Sequence, residues 1–320
     1  YKAIHGVKIR DYTTDPDNLI IGQVWFDKTN SVLQFQAEGA GAWATGNAVN
    51  VARQLPAGGG LQTSALMAGG NPGSTAANEL YNGTNWTEVN NLNTGRHGHA
   101  FAGLNSTAAI VFAGYSTAYV AVAETWNGTN WTEVNDMNVG RNQLGGAGTN
   151  TAALAFGGSE PDANTAKTEN WNGTNWTEVG DINTARNTGA GFGVTNTAAV
   201  YCGEASTVNG ITELWNGTNW TEVNDLNTTR RQHGMSAGAG SSISGMVFGG
   251  ENPSAANIAN VETFNGTSWS AFAPLNVARR GGIGAGASNA SGLFAGGNDD
   301  NDATEEYTSP AIAVKTVDID

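Results

Sequence analysis

The chain is poor in charge, in cysteine and in long apolar runs. Asp, Glu, Lys and Arg make up 13% of its 320 residues, about half of the usual ~25%. Lys and Arg number 14 against 28 Asp and Glu, a net charge of −14. That balance provides no electrostatic footprint for DNA, RNA or an anionic lipid surface. One cysteine, Cys202, excludes an intrachain disulfide and any metal site built from several thiolates. No apolar run approaches the roughly 18 residues of a membrane-spanning helix, so no membrane insertion is expected. The opening YKAIHGVKIRDYTTDPDN holds no apolar core of a secretory signal. Also absent are a P-loop, a G-x-G-x-x-G behind a strand, a zincin motif and a Ser/His/Asp constellation. The expectation is therefore a protein without enzymatic activity, cofactor or metal. Seven prolines and 45 glycines leave a Gly-rich, Trp-rich, acidic chain of β character.

What is present is a repeat. The block E-x-W-N-G-T-N-W-T-E-V stands at Glu124–Val134, Glu169–Val179 and Glu213–Val223, with close copies at Glu79–Val89 and Glu262–Phe272. An apolar residue, Asn, two residues and Arg follow, as in Leu226-Asn227-Thr228-Thr229-Arg230. Then come a stretch of Gly and Ala and an apolar run ending in or near Gly-Gly. The Arg recurs at Arg53, Arg96, Arg141, Arg186, Arg230 and Arg279, spaced by 43, 45, 45, 44 and 49 residues. The second Trp recurs at Trp43, Trp86, Trp131, Trp176, Trp220 and Trp269. The leading Glu recurs at Glu79, Glu124, Glu169, Glu213, Glu262 and Glu305.

A period near 45 with short strands and paired glycines points to β-propeller blades. Helical repeats are excluded by the many Gly and β-branched residues and by the lack of a 3.6-residue apolar stripe. Each unit reads as four strands: a small-residue strand a after the Arg, the apolar strand b into Gly-Gly, Glu-x-aromatic as strand c, and Trp-Thr-Glu-Val as strand d. Asn-Gly between c and d predicts a type I′ hairpin with positive φ at both central residues. Strand a is small because six innermost strands must crowd around one axis. The fold expected is all-β, six-bladed, with a short N-terminal β-hairpin extension. The repeated Trp residues read as blade-to-blade packing, and the six Arg with six Glu as a structural hydrogen-bond or ion-pair set.

The Arg before strand a, Gly-Gly after strand b, the strand-c aromatic and the strand-d Trp recur in order over about residues 43–308. This pattern resembles the kelch propeller family, with the Gly pair imperfect at Ala113-Gly114 and Cys202-Gly203. Kelch propellers host adaptors, enzymes and adhesins alike, so the resemblance implies fold and not function. The near-verbatim WNGTNWTEVNDLNTTR string looks more narrowly like kelch-like virion proteins of marine tailed bacteriophages. The stretch Gly22–Phe35 is similar to a short hairpin of phage tail-fibre and appendage proteins: Trp25 and Phe26 on one strand, a polar turn, then Leu33 and Phe35.

Three segments are expected: an attachment segment at 1–30, the propeller at 31–308 and a tail at 309–320. The last repeat lacks its own strand d, which the Trp43 strand can supply, removing a free sheet edge. Either Val32–Phe35 or Glu305–Thr308 can serve as strand c of that blade.

Several candidate sites compete with plain structural roles. His97, His99 and His233 follow framework arginines and could meet at a channel mouth, but metal sites want three or four ligands. The oxygen-rich loop Asn298–Asp302 could take Ca²⁺, although such loops are usually only solvated. Tyr201-Cys202 is similar to the Cys–Tyr chemistry of propeller copper oxidases, yet neighbours on a strand face opposite ways. Cys202 reads better as a small buried residue in a framework Gly position. The sequons at Asn82, Asn85 and their copies read as turn chemistry. Two surfaces could carry recognition. One is the variable b–c loops, where Tyr115 and Tyr119 offer faces for sugar stacking. The other is the strand-a mouth with His99, His233 and Arg231.

From the resemblance, the expected role is a non-enzymatic virion component: fibre, appendage or decoration protein. Its N-terminal segment would join other virion proteins, it would be oligomeric on the particle, and its propeller would meet a host-surface glycan or protein. A cellular kelch-type adaptor and a propeller glycan-active enzyme are the competing classes.

Overall fold

The four-strand reading of the repeat is what the chain adopts. The structure, a computed structural model, describes residues 9–16, 23–38, 41–204, 210–232, 234–235, 242–298, 301–309 and 312–317. No helix occurs among them, and the strands form seven four-stranded sheets. The architecture is all-β and consistent with a β-propeller. Two compact units divide the chain: Tyr1–Ala42 with Ser309–Asp320, and Trp43–Thr308.

The larger unit holds six four-stranded sheets, here I to VI. Sheet I is Ala57–Leu61, Ser64–Ala68, Asn78–Tyr81 and Trp86–Val89; sheet II is Ala100–Asn105, Ala108–Phe112, Ala123–Trp126 and Trp131–Val134. Sheet III is Gly145–Thr149, Ala152–Phe156, Thr168–Trp171 and Trp176–Val179; sheet IV is Ala190–Thr195, Ala198–Cys202, Thr212–Trp215 and Trp220–Val223. Sheet V is Gly234–Met235, Gly245–Phe248, Val261–Phe264 and Trp269–Phe272. Sheet VI is Ile283–Ser288, Ser291–Ala295 and Thr304–Thr308, with Ala42–Gly46 as its fourth strand. Of the two candidates for the third strand of sheet VI, Thr304–Thr308 takes the place, and Val32–Glu38 pairs elsewhere.

The first strands contact one another in the order I–II–III–IV–V–VI–I. Their small residues follow from that closeness. A methyl on Gly146 would fall 2.5 Å from the Phe101 carbonyl of sheet II, and one on Gly58 would fall 2.7 Å from Ile283 of sheet VI. Large side chains fill the space further out. Trp176 packs on Phe112 at 4.8 Å between ring centroids, Trp220 on Phe156 at 4.9 Å and Trp43 on Phe248 at 5.3 Å, each pair joining two sheets. Trp86 of sheet I donates its indole N–H to Thr304 Oγ1 of sheet VI at 2.9 Å.

Each framework Arg is buried and meets the Glu of its own sheet. Arg96 contacts Glu124 at 2.8 Å, Arg141 contacts Glu169 at 3.2 Å and Arg53 contacts Glu79 at 2.9 Å. Arg186–Glu213, Arg230–Glu262 and Arg279–Glu305 repeat the pairing. The other carboxylate oxygen accepts from the Asn three residues before the Arg: Asn138 N and Nδ2 both donate to Glu169 Oε2 at 2.8 Å. The structural reading of the Arg–Glu set is therefore what the side chains do.

The Gly-Gly pair also has a cause. The second glycine of one sheet donates its N–H to the Arg carbonyl of the next: Gly70 to Arg96, Gly114 to Arg141, Gly158 to Arg186, Gly250 to Arg279 and Gly297 to Arg53. These five glycines stand at φ between 103° and 135°, which a side chain rarely tolerates.

Three expectations change. Cys202 does not occupy a framework Gly position. Gly203 makes the bond of a first glycine, donating to the Ile211 carbonyl as Gly157 does to Lys167. Cys202 thus ends strand b, where Phe156 stands in sheet III, and Glu204 replaces the second glycine. The hairpins between strands c and d are not two-residue type I′ turns. Trp126 pairs with Trp131, so four residues make the loop. Only its glycine is left-handed, as at Gly128 with φ 91°. Asn127 Oδ1 accepts the N–H of Thr129 and of Asn130 at 2.9 and 2.8 Å. Capping by the side chain spares the Asn the positive φ that a type I′ turn demands. Finally, the expected boundary at 30 shifts: the larger unit begins at Trp43, because Val32–Glu38 belongs to the smaller unit, and it ends at Thr308.

That unit is a sheet of Asp11–Tyr12, Val24–Asp27, Val32–Glu38 and Ile312–Thr316 in that order. Asp11–Tyr12 runs parallel to its neighbour, and the other pairings are antiparallel. The tail therefore returns to the N-terminal hairpin. Asp27 fixes the hairpin turn by accepting from Thr29 N and Asn30 Nδ2 at 2.8 and 2.7 Å.

Removing one carboxylate tests the buried pairs. Glu169→Ala leaves the Arg141 charge and the Asn138 donors without their acceptor in the interior. The expected loss is about 3–5 kcal/mol, read as a lower urea midpoint. The double variant Arg141→Met/Glu169→Leu should lose less than Glu169→Ala alone.

Candidate functional site

One end of the sheets in the larger unit is built by the two residues after each framework Arg. The second of them is left-handed in every sheet: Leu55, Gly98, Gln143, Thr188, Gln232 and Gly281, at φ between 50° and 69°. Their backbones form a cycle. Leu55 N donates to Gly281 O, Gly281 to Gln232, Gln232 to Thr188, Thr188 to Gln143, Gln143 to Gly98 and Gly98 to Leu55, all at 2.5–2.9 Å. Left-handed geometry turns each N–H and C=O tangentially, so every ring amide is satisfied by a neighbour. An axial cavity of about 120 Å³ is lined by all six ring residues and by strand-a residues such as Ala57, Phe101 and Ile283. That space admits several waters.

Around this ring lies a second one, the first residue after each Arg. Gln54, His97, Asn142 and Arg231 form two-way backbone bridges with Asn71, Tyr115, Ser159 and Glu251 at the starts of the b–c loops. Arg280 N bonds Asn298 Oδ1 in the same place. The strand-a mouth and the b–c loops, two surfaces in the sequence reading, are thus one face.

The expected binding residues are distributed unevenly over it. Tyr115 and Tyr119 meet edge to face at 5.5 Å and 83°, bridged by their backbones. His97 lies 5.5 Å from Tyr115, and its Nδ1 is 3.0 Å from Ser74 Oγ, on the b–c loop of sheet I. Ser74 Oγ also reaches the Ser116 carbonyl at 3.2 Å. Burial holds the His97 pKa below the ordinary imidazole value, so the ring is neutral at pH 7. Sequence reasoning missed Ser74, which belongs to a different repeat from the group it joins. Its left-handed backbone, φ 53°, aims it there.

Arg231 is a third exposed and shares Glu251 with Arg280; its Nε donates to Glu251 Oε1 at 2.8 Å. Glu251 itself is buried. These cations occupy sheets V and VI, away from the tyrosines of sheet II. His233 lies outside the described residues, as do Asp299 and Asp300 of the proposed calcium loop. Among the described residues no group of three or more His, Cys, Asp or Glu is placed to hold a metal ion.

His99 does not present itself at the face. It is 6% exposed and borders the axial cavity. Its Cβ packs against Gly114 as that of Leu144 packs against Gly158. Its repeat position is thus an apolar one, a signal present in the sequence at Leu144. Burial first, then the Arg96 charge, keeps its pKa well below the ordinary imidazole value.

In the smaller unit the expected attachment residues part company. Trp25 is fully buried within the chain, opposite Gln34 in the pairing, so it is a core residue and offers no partner an anchor. Phe26, Leu33 and Phe35 are half-buried and share the other face with Val24, which is 43% exposed. Adjacent strand residues point to opposite faces, which is why Trp25 and Phe26 cannot act together. No protein-family model matches the chain, and no curated protein matches it.

The buried neutral His99 gives a pH signature. Its folded pKa lies below the unfolded value of about 6.5, so the unfolded chain binds the extra proton first. Stability from this residue is full above that value and is lost as pH falls below it. His99→Leu should remove that loss. The urea midpoint of the parent should drop more between pH 7.5 and pH 5 than that of the variant; equal drops would assign the loss to other groups.

Proposed function

We propose that this chain is a non-enzymatic virion component whose larger unit is a closed, six-bladed, kelch-like propeller presenting one face for recognition. The observation that carries the reading is the contrast within that unit. Buried Arg–Glu pairs, Trp packing and the backbone ring repeat sheet after sheet. The side chains of the outer ring do not repeat in this way: Gln54, His97, Asn142, Asn187, Arg231 and Arg280 are of four kinds over the six sheets. A uniform scaffold carrying a varied face suits a binding surface better than a reaction centre, which needs one set of groups fixed on a common atom.

Closure is supported by the backbone cycle, by the Gly297–Arg53 bond and by the placement of Ala42–Gly46 beside Thr304–Thr308. Trp43 carries that placement: it packs on Phe248 and Tyr307, and its indole N–H donates to Ala273 O at 2.8 Å. Trp43→Ala should cost about 3–5 kcal/mol and lower the melting temperature sharply. An unchanged melt would place closure elsewhere.

The mount on the particle is the smaller unit, through the apolar face of Val24, Phe26, Leu33 and Phe35. In this reading it packs on other virion proteins or on further copies of the chain, and the propeller meets a host-surface glycan or protein. The test is whether an antibody to the chain labels purified phage particles, and whether Phe26→Ser/Leu33→Ser abolishes that labelling with the propeller melt unchanged. Particles without the chain would remove the virion role. Normal incorporation of the double variant would move the mount off this face.

A further inference from the structure

We propose that Ser74, His97, Tyr115 and Tyr119 form a saccharide-binding site that takes an uncharged pyranose ring. The inference rests on the reading of this face as a recognition surface and names its ligand class. The repeat supplies the internal comparison. The residues that stand where Tyr115 does in sheets I, III, V and VI are Asn71, Ser159, Glu251 and Asn298. The bridges matching Tyr115–Tyr119 are Ser159–Asn164 and Glu251–Asn257. Sheet II alone among these has two aromatic rings in the paired positions.

The rings form a corner. In an edge-to-face pair the ring that is edge-on keeps both of its faces clear of the other. One Tyr is then a floor and the other a wall. The hydrophobic C–H face of a pyranose can lie on the floor while its hydroxyls meet polar groups at the margin. Those groups are at hand. Among the described residues neither phenol hydroxyl has a hydrogen-bond partner within the chain, and Ser74 Oγ and the His97 ring border the same corner. Tyr brings large amphipathic contact area with only two side-chain torsions to immobilise.

The corner is also held in advance. His97 and Tyr115 exchange backbone hydrogen bonds at 3.0 and 2.9 Å, Ser116 N donates to Ala118 O at 3.0 Å, and Val120 N donates to Gly114 O at 3.0 Å. Little ordering remains to be done on binding, which is where preorganised sites gain affinity. Charge selects the ligand. Burial alone shifts His97, with no carboxylate or guanidinium contributing. A neutral corner gives no reward to an acidic sugar. Of the other charged groups on this face, Arg231, Arg280 and Glu251 belong to sheets V and VI, and Glu160, Asp162 and Lys167 to the b–c loop of sheet III, where Lys167 pairs with Glu160 at 2.9 Å.

The test uses the full chain and four trisaccharides: maltotriose, cellotriose, chitotriose and the acidic trigalacturonate. Binding is followed by saturation-transfer NMR and calorimetry. At least one neutral trisaccharide should bind. Tyr115→Ala and Tyr119→Ala should each weaken it about tenfold or more, with the melt unchanged. Tyr119→Phe, which keeps the ring, should lose only a few-fold, and Thr177→Ala, exposed on the last strand of sheet III, should have no effect. The proposal falls if no neutral trisaccharide binds. It also falls if binding survives both alanine variants, or if trigalacturonate alone binds and Arg231→Ala abolishes it. Particle labelling is scored separately: a chain absent from particles that still binds sugar through the tyrosines refutes the virion role and keeps this site.

Discussion

The buried Arg–Glu pair, clamped by an Asn, is the contact on which the rest of the larger unit depends. A guanidinium in the interior is tolerable only with a counter-charge and enough acceptors. Glu169 provides one oxygen to Arg141 and the other to Asn138, and the Lys167 carbonyl accepts a further Arg141 N–H at 2.7 Å. Holding both ends of Asn-x-x-Arg fixes the crossover that leads from one sheet into the next. With the crossover fixed, the Arg141 carbonyl points at Gly114 of the preceding sheet, which must be left-handed to reach it. The next residues then enter the bridge with the b–c loop and the backbone cycle. One pair thus sets the sheet-to-sheet link, the glycine requirement and the mouth. It also accounts for composition: the six framework pairs leave few charges for the surface, and most of those are acidic.

The repeat made this part of the fold legible from sequence, because the marks that define a sheet lie within some 45 residues of one another. What was not legible had two sources. Some features depend on atoms the pattern does not encode. Asn-Gly signals a hairpin, but whether the Asn caps the loop or enters the left-handed region is decided by its side-chain oxygen. Cys202 looked like a lost glycine because the pair Gly203-Glu204 had itself lost one. The hydrogen bond of Gly203 shows the true alignment. Other features depend on partners far along the chain. The Val32–Glu38 strand had two local uses, and its pairing with Ile312–Thr316 lies nearly the whole chain length away.

The site divides the same way. Tyr115 and Tyr119 could be found as aromatic residues on a variable loop. That they meet at a right angle, and that Ser74 and His97 join them, required the bridge between neighbouring sheets. His99 and Trp25 were the opposite case. Each was chemically conspicuous, and each proved to be filling: His99 stands where another sheet has Leu144, and Trp25 is sealed on the inner face of its hairpin. A residue type that could do chemistry says little until its repeat position or its strand face is known.

The backbone cycle has a consequence for what this face can recognise. Left-handed residues next to helices or turns often leave N–H groups converging on an anion. Here the six left-handed residues donate to one another, so no ring N–H is left for a phosphate or a carboxylate. Each ring carbonyl spends one of its two lone pairs on the same bonds. Donors for an anion at the mouth must therefore come from side chains, on the outer ring and the b–c loops, where the sheets differ. Apart from Asn298, whose Oδ1 holds the Arg280 amide, these side chains can change without disturbing the amides beneath them, since the cycle and the Arg–Glu clamp do not use them. The scaffold is thus largely insulated from the face it presents, and variation there costs the fold little.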